Sequence, residues 1–272
     1  MTEDNGYSVA GADFGYGDYL TVPSPAAEAD IPVLAFLPPQ PRATVYLLHG
    51  VNEQPRNETG LRALINPGSQ IRELAEQYRV AVVAPLVPNR FYLDPPDGVP
   101  GARWATAIGD ELVSGMERLL PELPPERAAR FLCGFSMGGY GAVSLLCRHP
   151  HRFHAAASRG GLMDLASGVT DHAWDDAAWP VEVLGSYFDF PARYHHNSCP
   201  NLVNRLKGHP GGIVLEVGVR DMIALPSNRR LRKHLLNAEI PHTYTETSDG
   251  HVMDAHAQAR LFAGLSPWFP PR

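Results

Sequence analysis

Apolar positions along the chain fall into short runs of two kinds, which alternate from about residue 31 onward. Runs of about four to eight mostly apolar residues, bounded by Gly, Pro or charged residues, are typical of strands. We predict strands at 31–38, 43–50, 79–87, 129–135, 153–158, 211–218 and 241–247. The other runs have apolar residues at helical spacing, as in Ile71, Leu74 and Ala75, and therefore indicate helices. We predict helices at 69–78, 103–120, 136–149, 227–238 and 252–265.

Strands that alternate with helices predict an α/β fold, in which a mostly parallel sheet carries helices on both faces. The interval 159–210 interrupts this alternation, because it is long, poorly periodic and rich in aromatic residues. Insertions of this kind usually cover a site at the edge of the sheet, so we expect a cap. We therefore predict a single domain over 1–272, with the first 30 residues forming an irregular lead-in or a short edge strand.

Charge and composition narrow the class of protein. A chain of 272 residues, of which 44% are hydrophobic, can bury the core of one large domain. Its net charge of −6, without a cluster of Lys and Arg, argues against nucleic acid or an anionic membrane as a partner. No apolar run approaches the ~20 residues that a membrane-spanning helix needs.

Two further features bear on the compartment. The first residues of the chain are acidic where a signal peptide would be positively charged, and they include no continuous apolar run. Cys133, Cys147 and Cys199 form neither a metal-binding pattern nor an evident disulfide framework, and we expect the first two to pack as small core side chains. We therefore predict a soluble, cytoplasmic protein.

The segment 134–138 reads G-F-S-M-G and joins a predicted strand to a predicted helix. In a G-x-S-x-G turn at such a junction, the serine takes a strained conformation that lifts its Oγ clear of the sheet. Gly134 and Gly138 would leave room for the neighbouring strand and helix. The same letters also occur in ordinary turns, where the serine only caps the helix. The strand–turn–helix context favours Ser136 as a nucleophile.

A serine nucleophile needs a base, and the base needs an orienting acid. In this type of site the acid follows the serine along the chain and precedes the histidine. Asp221 comes just after a buried strand, whereas the alternative acid, Glu216, lies inside the strand pattern. An aspartate that caps a helix or pairs with Arg220 is the structural alternative. We predict Asp221 as the acid.

The base is predicted from its place after the last strand. His251 lies between that strand and the closing helix, and Asp249 and Gly250 before it form a turn that can direct the imidazole over the sheet edge. The nearest rival, His256, is expected inside the helix, and His242 is expected to be exposed at the start of a strand. We therefore predict His251 as the base.

The oxyanion formed by attack on an ester needs two N–H donors. The residue after the nucleophile, Met137, supplies one, and the loop after an early strand supplies the other. Val51 is the candidate in that loop, while His49 is expected to be a structural residue at the strand end. One such donor is worth about 3–4 kcal/mol of transition-state stabilisation.

Together these residues resemble the α/β-hydrolase superfamily and, more narrowly, the putative-esterase family. That family includes esterase D (S-formylglutathione hydrolase), the tributyrin and feruloyl esterases and the antigen 85 mycolyltransferases. The resemblance is carried by YLLHG (46–50), the pair Glu111 and Leu112, GFSMGGYGA (134–142), YHHNSCPNLVNRLK (194–207), GVRD (218–221) and DGH (249–251). It implies an α/β-hydrolase fold, with Ser136, Asp221 and His251 as the triad and with Val51 and Met137 as the oxyanion donors.

The chain departs from the family after the predicted base. Family members often carry aromatic residues there, whereas this chain has Met253 and His256, so we expect a different pocket wall.

The expected function is hydrolysis of a carboxylic ester or thioester through an acyl-enzyme, with a small acyl ester as the partner and without a metal or organic cofactor. An acyltransferase with the same triad is one alternative, since an alcohol or amine would then replace water. A non-catalytic binding module on a hydrolase fold is another, although such modules commonly lose a triad member and all three positions are filled here.

Overall fold

The computed structural model describes residues 8–10, 17–65, 70–170 and 179–271. Within these residues, nine strands form a single sheet. The strands are β1 (Ser8–Ala10), β2 (Asp18–Val22), β3 (Ile31–Phe36), β4 (Ala43–Leu48), β5 (Val80–Pro85), β6 (Arg130–Phe135), β7 (Ala155–Arg159), β8 (Ile213–Gly218) and β9 (His242–Thr247).

The helices of the described chain lie between these strands and after the last one. They are α1 (Glu58–Ile65), α2 (Ile71–Tyr78), α3 (Trp104–Thr106), α4 (Val113–Leu119), α5 (Met137–Arg148), α6 (Leu165–Thr170), α7 (Trp179–Leu184), α8 (Pro191–Asn197), α9 (Cys199–Leu202), α10 (Leu225–Asn237) and α11 (Ala255–Leu265). A π-helix, Ala107–Leu112, joins α3 to α4, and short 3-10 turns lie at Arg127–Ala129, Val203–Leu206 and Ser266–Trp268.

The order of the strands across the sheet is β1-β2-β3-β5-β4-β6-β7-β8-β9. The pairs from β5 to β9 are all parallel, whereas β1, β2 and β3 are joined to one another and to β5 by antiparallel pairing. The carboxyl ends of β4 to β9 therefore meet at one edge of the sheet, which is where open α/β sheets bind their ligands. This confirms the predicted α/β architecture.

The inner strands are buried on both faces, as their continuous apolar sequences predicted. Every residue of β4, β5 and β8 is buried. Because side chains alternate along a strand, Tyr46 packs in the core cluster that contains α5, and its neighbour Val45 packs in the cluster that contains α2 and α11. Helices thus cover both faces of the sheet.

Three elements differ from the sequence predictions. The first 30 residues contribute two strands at the sheet edge, β1 and β2, while residues 1–7 and 11–16 lie outside the described chain. The predicted helix 103–120 contains a π-helical stretch, Ala107–Leu112, between α3 and α4. Helix α1 was not predicted, although its apolar residues Leu61, Leu64 and Ile65 have helical spacing; only Gly60 and Leu61 of its eight residues are buried. Residue 69, the start of another predicted helix, is not among the described residues.

The segment 159–210, predicted as a cap, lies between β7 and β8 and includes α6 to α9. Helix α9 packs against α5 and α10, and the Tyr140 hydroxyl donates a hydrogen bond to the carbonyl of Asn197 in α8 (2.7 Å). Residues 171–178 of the predicted cap fall outside the described chain. Among the described helices, none is both long enough and apolar enough to cross a membrane.

Candidate active site

Ser136 occupies the sharp turn between β6 and α5. Its backbone has φ 55° and ψ −118°, a conformation that a residue with a side chain rarely adopts. A Cβ atom at Gly134 would collide with the backbone of Gly138, and one at Gly138 would collide with the carbonyl of Leu48 in β4. Both glycines are therefore required by close approach of the backbone, and the turn holds Ser136 at the carboxyl edge of the sheet.

The structure brings the three predicted residues of the triad into one hydrogen-bonded chain. His251 Nε2 lies 2.9 Å from Ser136 Oγ, and His251 Nδ1 lies 2.8 Å from Asp221 Oδ2. Because a carboxylate can only accept, this contact puts the imidazole proton on Nδ1 and leaves Nε2 to accept the serine proton. Asp221 is 1% exposed, and its Oδ1 accepts a hydrogen bond from the N–H of Ala224 (2.9 Å). Both oxygens of this buried carboxyl are thus in use.

The loop that carries His251 is fastened to the sheet by Arg159, the last residue of β7. This side chain is 1% exposed. Its guanidinium donates to Asp249 Oδ1 (2.6 Å) and to the carbonyl of Val252 (3.1 Å), on either side of the histidine. It also donates to Glu216 in β8 (3.1 Å). A single planar donor group therefore fixes the path of the loop relative to two parallel strands.

Asp249 stays charged in this loop. Burial tends to raise the pKa of its carboxyl, but hydrogen bonds from Thr247 and Arg159, together with the positive charge of Arg159, lower it to about 2. The ion pair with Arg159 is accordingly intact across the whole neutral range.

The residues considered as alternatives for the acid and the base lie outside this hydrogen-bonded triad. Glu216 is buried in β8 and accepts hydrogen bonds from both Arg159 and Arg260 (2.7–3.1 Å), so its carboxylate is neutralised by two arginines. His256 is exposed in α11. His242 begins β9 as predicted, but it is half-buried rather than exposed, and its Nδ1 lies 2.8 Å from the carbonyl of Ile240.

Gly160, directly after β7, leaves free the space beside Asp221 and His251 that a side chain would occupy. Its φ is +55°, and a Cβ atom there would lie 3.0 Å from Asp221 Oδ2 and 3.3 Å from His251 Nδ1. Neither Gly160 nor Arg159 was identified from the sequence. The one available signal was the charged residue and the glycines that end an otherwise small and apolar strand, A-A-A-S-R-G-G.

The two predicted oxyanion donors belong to chain segments that border the serine. Met137 is the first residue of α5, and an N–H at that position has no partner within the helix. Val51 lies in the loop after β4, and the adjoining Gly50 approaches the serine closely: a Cβ atom there would be 3.2 Å from Ser136 Cβ. The loop and the start of the helix thus border the same serine.

His49 anchors that loop as a neutral residue. Its Nε2 accepts a hydrogen bond from the N–H of Val87 (3.0 Å), and its Nδ1 lies 2.7 Å from the carbonyl of Gly50. Burial lowers the pKa of this imidazole to about 4. Asn52 and Asn89, which were not identified from the sequence, add two reciprocal hydrogen bonds (2.8 and 3.2 Å) between this loop and the one after β5.

A cavity of about 590 Å³ lies between the loop after β4, helix α1 and the residues that follow His251, and neither Ser136 nor His251 lines it. Its wall includes Val51, Phe135 and Met253. Met253 therefore borders the cavity, as expected from its place in the sequence, whereas His256 does not line it.

One group of side chains in the described chain could hold a metal ion. Ligand atoms of Asp110, His149 and His151 lie within 4.8 Å of one another. Arg152 already pairs with Asp110 (3.0 Å), and the histidines follow the end of α5 opposite to Ser136. This group is separate from the triad. Cys133, Cys147 and Cys199 are all buried and free, and the first two pack in the core as predicted.

Known proteins with similar sequences include esterases and a mycobacterial antigen. The family model described as "Putative esterase" matches residues 24–265. An acetyl esterase of Caldicellulosiruptor saccharolyticus is 28% identical over 226 residues, which cover 78% of this chain and 77% of that protein. The MPT51/MPB51 antigen of Mycobacterium tuberculosis is 34% identical over 156 residues, which cover 57% of this chain and about half (48%) of the antigen.

Solved structures share the fold at low sequence identity. The fluorophosphonate-binding serine hydrolase F of Staphylococcus aureus has a TM-score of 0.73 and 19% identity, over 93% of this chain and 98% of that one. An S-formylglutathione hydrolase of Agrobacterium tumefaciens has a TM-score of 0.74 and 16% identity, over 97% of this chain and 100% of that one. Since the family model also spans most of the sequence, this chain belongs to the "Putative esterase" family and is an esterase with an α/β-hydrolase fold.

Proposed function

We propose that the protein hydrolyses a carboxylic ester or thioester with Ser136 as nucleophile, His251 as general base and Asp221 as orienting acid. The observation that carries this proposal is the continuous hydrogen-bonded chain from Ser136 Oγ through His251 to Asp221, with contacts of 2.9 and 2.8 Å. The three groups have the roles and the order that acyl transfer to serine needs.

In the acylation step, His251 Nε2 takes the proton of Ser136 as Oγ attacks the acyl carbon. The new negative charge forms on the carbonyl oxygen, where the N–H groups of Val51 and Met137 stabilise it. Asp221 holds the imidazole in orientation and stabilises the imidazolium that forms. His251 then gives its proton to the leaving alcohol or thiol, and the acyl group remains on Ser136.

In the deacylation step, a water molecule replaces the leaving group. His251 Nε2 takes a proton from this water, whose oxygen attacks the acyl carbon, and the same two N–H groups stabilise the second tetrahedral intermediate. Return of the proton from His251 to Ser136 Oγ releases the carboxylic acid. An added alcohol competing with water would instead give a new ester.

The proposal is tested with nitrophenyl acetate, a fluorophosphonate probe and two variants. We expect the probe to label the wild-type protein, and we expect Ser136→Ala to abolish both labelling and ester turnover. Ser266→Ala, in the last 3-10 turn, is the matched control and should retain both. A folded wild-type protein that is neither labelled nor active would contradict the proposal. Product analysis with added alcohols separates hydrolysis from acyl transfer.

Two broader inferences, one on domain organisation and one on cellular location, belong to the same proposal. We infer that the chain acts as one domain in which the segment 159–210 is a cap. A cytoplasmic location is supported by the three buried, unpaired cysteines, because disulfides are rare in that compartment. Limited proteolysis tests the first inference, since cleavage should fall within the cap before the rest, and cell fractionation tests the second.

A further inference from the structure

A group of side chains outside the active site combines two imidazoles with a carboxylate. It consists of Asp110, His149 and His151, whose nitrogen and oxygen ligand atoms all lie within 4.8 Å of one another. We call these three side chains the Asp110 cluster. The two histidines follow the carboxyl end of α5, whereas Ser136 directly precedes its first residue. The cluster and the triad are therefore at opposite ends of the same helix.

The ring of His149 is enclosed, but its Nδ1 is too far from the carboxylate for an ordinary hydrogen bond. The side chain is only 12% exposed. Its Nδ1 faces Asp110 Oδ2 at 3.4 Å, whereas N–H···O hydrogen bonds are usually about 2.7–3.2 Å long. An imidazole nitrogen and a carboxylate oxygen thus face each other across a gap that a hydrogen bond does not close.

The position of this ring depends on the π-helix Ala107–Leu112. π-Helical turns are rare and occur frequently at functional sites. This one brings Gly109 against the ring of His149, where a Cβ atom would collide with the imidazole, and it directs the next residue, Asp110, towards Nδ1. The hydrogen bonds of the triad do not involve this helix. The unusual backbone is therefore matched to the cluster and not to the triad.

The carboxylate and the histidine turn are held in place by the protein itself. Arg152 Nε donates to Asp110 Oδ1 (3.0 Å), which leaves Oδ2 directed at His149. The N–H of Arg152 donates to the carbonyl of His149 (2.9 Å) and closes the turn, and Pro150 between the histidines has a fixed φ. Carboxylates that bind metals are commonly oriented by a second hydrogen bond of this kind. The positive charge of Arg152 weakens the attraction for a cation, so we expect a moderate affinity.

We propose that the Asp110 cluster binds one divalent ion of the zinc type through His149 Nδ1, a ring nitrogen of His151 and Asp110 Oδ2, with water as the fourth ligand. Imidazole and carboxylate ligands suit Zn²⁺, whereas Ca²⁺ and Mg²⁺ take oxygen ligands. Ligand atoms about 2.0–2.2 Å from a tetrahedral ion are about 3.3 Å apart, close to the 3.4 Å between Nδ1 and Oδ2. His151 is exposed, so its side chain can rotate to complete the site.

The ion links the end of α5 to the π-helix, and its role is structural. Because the arrangement of the three ligands exists only in the folded chain, binding favours the folded state. The cluster lies at the end of α5 opposite to Ser136, so ester turnover should not depend on the ion. The inference goes beyond the proposed function and does not rest on it.

Calorimetric titration of the chelator-treated protein with Zn²⁺ tests the site, at about pH 7.5, where a histidine of ordinary pKa is mostly neutral. We expect one ion to bind per chain, and Mg²⁺ to give no comparable binding. His151→Gln should weaken Zn²⁺ binding by about tenfold or more. This variant changes an exposed side chain, so it should remain folded. His196→Gln, which removes an exposed histidine from α8, is the matched control and should bind Zn²⁺ as the wild type does.

Two further measurements report on the coordination and on its effect. X-ray absorption of the zinc complex should show two imidazoles, with zinc–nitrogen distances of about 2.0–2.1 Å. With free Zn²⁺ at about a hundred times the wild-type Kd, the Tm of the wild type should rise by about 5 °C or more. At the same concentration of Zn²⁺, the rise for His151→Gln should be about half as large.

Each result decides the proposal. A wild type that does not bind Zn²⁺, an affinity that His151→Gln leaves unchanged, or a Tm that does not respond to the ion would overturn it. Zn²⁺ bound at the triad would also overturn it, and this case is recognised because the ion would inhibit turnover of nitrophenyl acetate. A protein that binds Zn²⁺ as expected but cleaves no ester would contradict the proposed function and support this site.

Discussion

Arg159 and Asp249 form an ion pair with an N···O distance of 2.6 Å. Asp249 lies two positions before His251 in the chain. The same guanidinium donates through Nε to the carbonyl of Val252, one position after the histidine. The imidazole that faces Ser136 is therefore held on both sides by one buried side chain. Arg159 acts through the loop and has no direct contact with the hydroxyl, which makes it a positioning residue.

Replacing Arg159 by lysine should lower kcat about 10- to 100-fold with little change in KM. A single ammonium group cannot span Asp249 and the carbonyl of Val252 as the planar guanidinium does, and a small displacement of a catalytic group has an effect of this size. Steady-state kinetics with nitrophenyl acetate measure the change, and thermal unfolding shows how much stability is lost.

The matched control is Arg260→Lys. Arg260 shares the partner Glu216 with Arg159, and within the described part of the chain its guanidinium donates to Glu216 rather than to the loop around His251. The Arg260→Lys variant should lose some stability and keep the wild-type kcat. If the two lysine variants lost kcat equally, the effect would come from Glu216 and not from the position of the histidine loop.

Asp221→Asn should reduce kcat by about 10³- to 10⁴-fold while the protein remains folded. An asparagine amide can donate to Nδ1, so the imidazole would keep the wrong proton and could not accept one from Ser136. Glu216→Gln is the comparison, because Glu216 was the alternative acid and its carboxylate accepts hydrogen bonds from Arg159 and Arg260 instead of a histidine. A larger loss of kcat in a folded Glu216→Gln protein would reverse the assignment of the acid.

Most of the sheet could be predicted because burial on both faces produces continuous apolar runs. Every strand from β3 to β9 falls within a predicted segment except β7, which extends one residue beyond the predicted 153–158 to Arg159, and the last two parallel strands lead directly to Asp221 and His251. The residues of the proposed triad were found from their order after successive strands, which is a property of the sequence itself.

The support around that triad could not be predicted, because it depends on contacts between distant parts of the chain. Arg159 meets its partner Asp249 across 90 positions, and nothing near either residue indicates the pair. Gly160 is required only by the space between Asp221 and His251, which exists after the sheet has formed.

Gly160→Ala should impair catalysis and stability together. The new methyl group would lie 3.0 Å from Asp221 Oδ2, and the φ of +55° is unfavourable for alanine. We expect a loss of about 1–3 kcal/mol in the free energy of unfolding and a fall in kcat of tenfold or more. Gly98→Ala separates the two causes, because Gly98 also has a positive φ (+79°) but open space around it. It should lose stability and keep its kcat; an equal loss of kcat in both variants would contradict the steric account.

Protonation of His49 should lower the free energy of unfolding as the pH falls from about 6.5 to 4. In the unfolded chain His49 binds a proton below its ordinary pKa of 6.5, whereas burial lowers the pKa in the folded protein to about 4. The unfolded state therefore binds more protons in this interval, and the free energy of unfolding decreases there, by on the order of 2–3 kcal/mol.

Urea unfolding at pH 7 and at pH 4.5, for the wild type and for His49→Gln, measures this contribution, with the pH values chosen about the interval above. Glutamine can still accept the N–H of Val87 but does not titrate, so the loss of stability between the two pH values should be smaller in the variant. His256→Gln removes an exposed histidine in α11 and should keep the wild-type difference. If His49→Gln lost as much stability as the wild type, the pH dependence would have to come from other histidines, of which the partly buried His149, His154 and His209 also have pKa values lowered by burial.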